Sequence, residues 1–237
     1  MVLETKLIST GNEELDLKLA GGLPVPLLMV IEGEHGTGKT VLVQQFVYGA
    51  LRSGLRVVVI TTETTTVGYI RQMLGVGFNI LDYFIKGDLK VYSTRLPRVR
   101  WVESTGRDLL TLTQDHMITK IDTYDMYVID SFSILIKGSK TEDIANFLTA
   151  VRKLVDKGRS FILTIHPGGL DETIYLNLRA IADGYMELKN AEMGGRVLKV
   201  MNIIKLKGAP TTFDNVITFD IDPAFGIKLV PMALSKV

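Results

Sequence analysis

The sequence predicts an α/β fold, with a mostly parallel central sheet flanked by helices and antiparallel strands at its C-terminal end. Three observations predict it. Short β-branched runs alternate with helical patterns as far as Ala182. A glycine-rich segment joins the first long apolar run to the first long helix. From Tyr185 onward strands separated by turns replace that alternation. The expected organisation is a single domain over 1–237, without internal repeats or low-complexity segments.

The elements follow in order. Leu27–Glu32 is a short apolar strand. Thr40–Ser53 reads as a helix stopped by Gly54. Val57–Thr62 is β-branched throughout, as a strand buried on both faces must be. Thr66–Leu74 is helical, Leu89–Ser93 a strand, and about Thr105 to Ile121 a helix. Met126–Asp130 is a second buried strand. Thr141–Lys157 is the clearest helix, with Ile144, Phe147, Leu148, Val151, Leu154 and Val155 at helical spacing. Thr141 is its expected cap. Ser160–Ile165 is a strand and Glu172–Ala182 a helix. Tyr185–Lys189, Arg196–Lys205, Val216–Asp222 and Ile227–Val230 then read as strands joined by turns. Thr94–Gly106 and His166–Glu172 read as loops. The first carries Arg95, Arg98 and Arg100 around Trp101, with Arg107 just beyond it.

Composition excludes several functions. Hydrophobic residues make up 46% of the chain, enough for a sizeable core. Lys and Arg number 27 against 26 Asp and Glu, so no net charge draws the chain toward nucleic acid or an anionic membrane. There is no cysteine, which removes disulfides, thiolate catalysis and cysteine zinc sites and suits a reducing cytosol. The three histidines have no metal-ligand spacing. The opening Met-Val-Leu-Glu-Thr-Lys lacks the order of a signal peptide, and no apolar stretch approaches the ~18–20 residues that span a bilayer. A cytoplasmic protein without membrane insertion is expected.

The segment Gly33-Glu34-His35-Gly36-Thr37-Gly38-Lys39-Thr40 matches G-x-x-x-x-G-K-[ST] in full, between a strand and a helix. That placement lets backbone N–H groups and a helix N-terminus converge on phosphate oxygens. Gly33 to Thr40, with Val41 behind them, are therefore the expected ATP-binding residues. Lys39 would bridge the β and γ phosphates, and the Thr40 hydroxyl would ligate Mg²⁺. Asp130 ends a buried strand, where a carboxylate faces the ligand crevice, and is the second expected Mg²⁺ residue. Glu63 closes Val57–Thr62 and is expected beside the P-loop strand. It reads either as a general base for water or as an acid favoured by a helix dipole. Lys205 and Lys207 alternate at a strand end. By pattern alone they are one face of the strand or a lysine-protected edge.

A resemblance joins these motifs. Ser9-Thr10-Gly11, then Leu15-Asp16 and Gly21-Gly22-Leu23-Pro24, resemble the opening segment of KaiC/RecA-like ATPases, with the P-loop at that family's distance. Within the family, Lys18 to Pro24, Gln44-Gln45-Phe46 and Ile221 to Gly226 most resemble the FlaH (ArlH) accessory ATPases of the archaellum, the archaeal swimming motor. The resemblance implies a RecA/KaiC-like P-loop NTPase fold and a Glu pair after the second core strand. Here the pair is Glu63-Thr64, so slow or conditional ATP hydrolysis is expected. It also implies a Lys-x-Arg pair reaching a neighbouring subunit's γ-phosphate. Lys205-Leu206-Lys207 keeps that charge without the bidentate fork.

A ring, hexameric by analogy, follows from that reading. Its implied partners are the archaellum's motor ATPase, membrane platform protein and scaffold proteins. Its implied place is the cytoplasmic face of the basal body. Thr164 and His166 end the strand whose polar residue senses the γ-phosphate in RecA-like folds, although His166 also suits the turn at Pro167-Gly168. Two other functions stand beside this one. A RecA-like single-stranded DNA-binding ATPase would use the arginines around Trp101. A KaiC-like autokinase would phosphorylate Thr211 or Thr212.

Overall fold

The computed structural model describes residues 5–94, 103–193 and 195–231; Arg95, Arg98, Arg100 and Trp101 fall outside them. The chain begins with an antiparallel ribbon of β1 (Lys6–Ile8) and β2 (Leu23–Val25), separated by the short helix α1 (Glu13–Lys18). The Asn12 side chain caps α1 by accepting from the Leu15 N–H. β3 (Leu28–Gly33) then leads through the glycine-rich loop into α2 (Lys39–Arg52). β4 (Val57–Thr61), α3 (Thr66–Gly75), α4 (Leu81–Lys86), β5 (Leu89–Ser93) and α5 (Glu103–Thr119) follow. Next come β6 (Met126–Asp130), α6 (Phe132–Leu135), α7 (Thr141–Val155), β7 (Ser160–Ile165) and α8 (Glu172–Ile181). The last strands are β8 (Gly184–Met193), β9 (Arg196–Leu206), β10 (Val216–Asp222) and β11 (Gly226–Leu229).

Nine strands form one sheet in the order β11-β10-β9-β8-β3-β7-β6-β4-β5. From β8 to β5 all pairs are parallel; from β8 to β11 all are antiparallel. The mostly parallel sheet with antiparallel C-terminal strands is the architecture expected from the sequence. Side chains alternate between two apolar layers, as the strand period of two requires. Met29, Ile31, Val57, Val59, Met126 and Val128 point to one layer, covered by α2, α3 and the inner face of β9–β11. Leu28, Val30, Val58, Ile60, Tyr127 and Ile129 point to the other, with Phe147, Leu148 and Val151 of α7. Helices on both faces explain why β3, β4, β6 and β7 are buried along their whole length.

Several expectations need correction. Thr141 does not cap α7. Lys140 occupies the cap position, with extended backbone and no side-chain bond, and Thr141 is already helical. β8 runs four residues past the predicted Lys189, because β9 pairs with it along its full length. α5 starts at Glu103, so Arg107 is helical and pairs with Asp143 of α7 at 3.5 Å. The ribbon, α1, α4 and α6 were not predicted. Each is three to six residues long, too short to show a period.

The uncapped start of α7 yields a stability test. Lys140→Ser should add about 1 kcal/mol by satisfying an N–H of the first turn. Urea unfolding should show the midpoint rising at unchanged slope; a fall would mean that the lysine makes a compensating contact.

Candidate functional site

β3 ends at Gly33 and α2 begins at Lys39, leaving five residues to turn the chain at the C-terminal edge of the parallel strands. Two glycines make this turn possible. A Cβ on Gly33 would sit 2.8 Å from the Leu188 carbonyl oxygen. Gly38 holds the left-handed region at φ +92°, with Lys199 and Phe219 of the C-terminal strands close above it. Gly38 is also the N-cap of α2 and offers no side chain to its first N–H groups. Those donors and the positive end of the dipole face the cleft, a preformed seat for an anion.

Lys39 is buried, and its Nζ donates to the carbonyls of Gly33 at 2.6 Å and Glu34 at 2.8 Å. His166 Nδ1 lies 3.4 Å from the same nitrogen. Burial lowers the Lys39 pKa, while Asp130, Glu63 and Glu34 oppose that shift. Asp130 is 1% exposed at the end of β6. Its Oδ1 accepts from the Thr164 hydroxyl at 2.7 Å, and Thr40 lines the same cleft. Its Oδ2 is buried without a hydrogen-bond partner. Burial raises the Asp130 pKa, and the nearby hydroxyls of Thr164 and Thr40 work against it.

Glu63 reaches the site by a route the sequence did not suggest. β4 is not beside β3; β7 and β6 lie between them. Glu63 instead extends from the loop after β4 to within 3.5 Å of His166 Nε2. His35 stacks on His166 with ring centroids 4.2 Å apart, and the His166 N–H donates to Ser133 Oγ. Burial lowers the His166 pKa, Lys39 and His35 add to that, and Glu63 opposes it.

These groups line one cleft of about 290 Å³, formed by His35, Gly36, Gly38, Lys39, Thr40, Val41, Glu63, Asp130, His166 and Ile221. Gly33, Glu34 and Thr37 line a second cleft behind the loop, with Glu32 and Tyr175. Lys205 and Lys207 are elsewhere. β9 runs antiparallel to β8, so its last residues lie where β3 and β8 begin. Lys205 Nζ bonds the Ala180 carbonyl at 3.3 Å, and Lys207 lies 3.8 Å from Asp183. The length of β3, about 16 Å at 3.3 Å per residue, separates that end from the loop. One chain cannot bring these lysines to its own phosphate seat.

Sequence reasoning missed three features. Ile221 closes the cleft from β10, a non-local contact that no local pattern reveals. Tyr69 is fully buried with an unpartnered hydroxyl, and Asp130 helps burial to raise its pKa. Glu32, the residue before Gly33, accepts from Tyr185 at 2.6 Å and Tyr175 at 3.0 Å. Arg179 then donates to Tyr175, tying α8 to the root of the loop. A Glu inside an otherwise apolar run was the available signal.

The sequence profile described as "ATPase: KaiC" matches residues 8–233. The chain belongs to the KaiC ATPase family. Among the family's curated proteins, the archaeal flagellar ATP-binding protein FlaH of Sulfolobus acidocaldarius is 40% identical over 97% of this chain and 99% of its own. The crystal structure of the flagellar accessory protein FlaH from Methanocaldococcus jannaschii superposes with a TM-score of 0.84. It is 25% identical, with 96% of this chain and all of that one covered. A KaiC-like protein of Pyrococcus horikoshii OT3 has the same fold at a TM-score of 0.73, with 24% identity over 96% of this chain and all of that one. The KaiC-family fold supplies the RecA-like core expected from the sequence, and membership of an ATPase family implies nucleotide binding.

The residues fit a hydrated divalent cation beside that nucleotide. Among the described residues no group of three or more His, Asp or Glu side chains is placed to hold a metal alone. Mg²⁺ keeps several waters and takes one or two protein oxygens plus phosphate. The unpartnered Asp130 Oδ2 and the adjacent Thr40 hydroxyl offer that donor set.

Asp130 yields a pH test. Its folded pKa is raised, so its ionisation opposes folding above the unfolded value and this penalty is absent below it. Asp130→Asn should therefore raise the melting temperature in EDTA at pH 7, and the gain should shrink as pH falls toward 4. Thermal unfolding across that range checks it. The variant should also lose any Mg²⁺-dependent stabilisation by ATP.

Proposed function

We propose that this protein is an ATP-binding regulatory ATPase of the archaellum, in which bound nucleotide sets assembly and docking. The observation that carries the reading is the convergence, in one cleft, of the helix-side half of the P-loop, including Lys39 and Thr40, with Asp130 and Glu63. The names of its relatives, which call them archaeal flagellar ATP-binding and accessory proteins, supply the setting.

In this reading Gly33 to Val41 hold the phosphates through backbone N–H groups and the α2 dipole. Lys39 contacts the β and γ phosphates, while Thr40 and Asp130 hold Mg²⁺, which neutralises phosphate charge. Glu63 acts as base toward water, positioned by His166. Its neighbour Thr64 leaves one carboxylate where the family carries two, which supports slow hydrolysis. Lys205 and Lys207 lie at the opposite end of the sheet from the loop, which supports their acting on a neighbouring copy. ATP then sits at a subunit interface, and a hexameric ring is the natural closure of such a head-to-tail contact. The ring would dock onto the motor ATPase, membrane platform and scaffold at the cytoplasmic face of the basal body. No helix among the described residues is long and apolar enough to cross a membrane.

Ligand-driven assembly requires that ATP bind one assembly state better than another. Lys39→Ala should abolish ATP binding and nucleotide-dependent assembly together, read by light scattering with ATP, with ADP and without nucleotide. Assembly with the motor partner that persists unchanged in this variant would refute the switch. Lys205→Ala should leave ATP binding by dilute, unassembled protein unchanged and lower turnover at assembling concentrations about tenfold or more, the scale of a lost transition-state cation.

A further inference from the structure

The most unusual arrangement in the cleft is an imidazole pair. His35 belongs to the phosphate loop and His166 to the end of β7, and their rings stack at 4.2 Å with a 30° tilt. The groups facing His166 are Lys39 of α2, Glu63 after β4 and His35 of the loop, with Ser133 Oγ on its backbone N–H. Asp130 and Glu34 act on the same Lys39.

The hydrogen bonding fixes the His166 tautomer. An ammonium has only donors, so at 3.4 Å from Lys39 Nζ the Nδ1 atom is the acceptor and carries no proton. The ring proton is then on Nε2, facing Glu63 Oε1 at 3.5 Å. Burial, and after it the Lys39 charge, hold the His166 pKa down. The three N–H donors of Lys39 are taken by the Gly33 and Glu34 carbonyls and by His166, so bonding a phosphate means giving up acceptors, of which His166 is the most distant. Departure of Lys39 frees Nδ1 in a cleft that has gained negative charge.

We infer that the His35–His166 pair couples triphosphate binding to proton uptake: when Lys39 turns to the phosphates, His166 takes a solvent proton on Nδ1. The product is an imidazolium with Nε2–H toward Glu63 and Nδ1–H available to the terminal phosphate, its ring face covered by His35. No bond other than N–H forms, and the proton comes from buffer. Burial now holds the His166 pKa down, and an anion added beside Nδ1 pushes it back up. MgADP, which lacks the terminal phosphate, gives less uptake. The site therefore favours triphosphate over diphosphate more strongly as pH falls. The inference rests on the nucleotide reading above and adds a regulator to that site.

Calorimetric titration of MgATP into the intact protein near pH 6.5, in buffers of different ionisation enthalpy, measures the proton count directly. The expected result is net uptake of a few tenths to one proton, smaller for MgADP and close to zero in His166→Asn. Affinity for MgATP should fall with rising pH by up to about tenfold per unit, the limit for one linked proton, and be flat in His166→Asn. The chain has three histidines, so the ring proton resonance missing from His166→Asn identifies that of His166 in the unsubstituted protein. Its titration midpoint should rise on adding MgATP. MgATP binding without uptake, uptake unchanged in His166→Asn, or an unmoved His166 midpoint overturns this inference alone. Failure to bind MgATP at all overturns the nucleotide reading together with it.

Discussion

The pairing of β3 on both sides is the constraint on which the rest depends. Five consecutive residues of β3 pair in parallel with β7, and five with β8. This double ladder fixes where the loop leaves the sheet. It also fixes what stands beside that exit: the end of β7 with Thr164 and His166, and Leu188 of β8 against Gly33. The lower end is anchored as firmly. Asp183 accepts from the Leu28 N–H at 3.0 Å and from Arg152 at 2.8 Å, so the strand is tied at its start by a charge-assisted bond. The buried Asp130 Oδ2 and the withheld Lys39 are tolerable because this frame does not yield. Strained or unsatisfied groups persist only where their surroundings hold them.

Much of the fold was legible because parallel strands advertise themselves. Val57–Thr61 and Met126–Asp130 are apolar at nearly every position, and α7 shows its buried face in six residues at helical spacing. Strand order was not legible. Nothing local says that β7 and β6 intervene between β3 and β4, since adjacency is decided by crossovers rather than by composition. The site followed the same division. Lys39, Thr40 and Asp130 were readable because a contiguous motif and a strand terminus place them. Ser133, Tyr69, Ile221 and the His35–His166 stack arise from contacts between distant segments. Sequence spacing carries no trace of them.

The C-terminal strands extend the sheet and also roof the site. Lys199, Phe219 and Ile221 close over Gly38, and the β10–β11 turn rests on the segment after α3, where a Cβ on Gly77 would strike the Ala224 carbonyl. This antiparallel layer is continuous through β9 with Lys205, and with Lys207 just beyond it, at the far end of the sheet. One structural unit therefore touches the phosphate loop at one place and carries the candidate cations for a neighbouring copy at another.

Glu32 gives the loop a second governor. The residue is 9% exposed, and its carboxyl group accepts from two tyrosine hydroxyls, one from β8 and one from α8. A buried carboxyl cannot shed such donors gradually, because each one lost leaves a desolvated acceptor. Moving α8 would take Tyr175 from Glu32 and leave the carboxyl group to Tyr185 alone. The seat of α8 and the root of the phosphate loop are thus joined through a single hydroxyl, and neither can shift without the other giving up a bond.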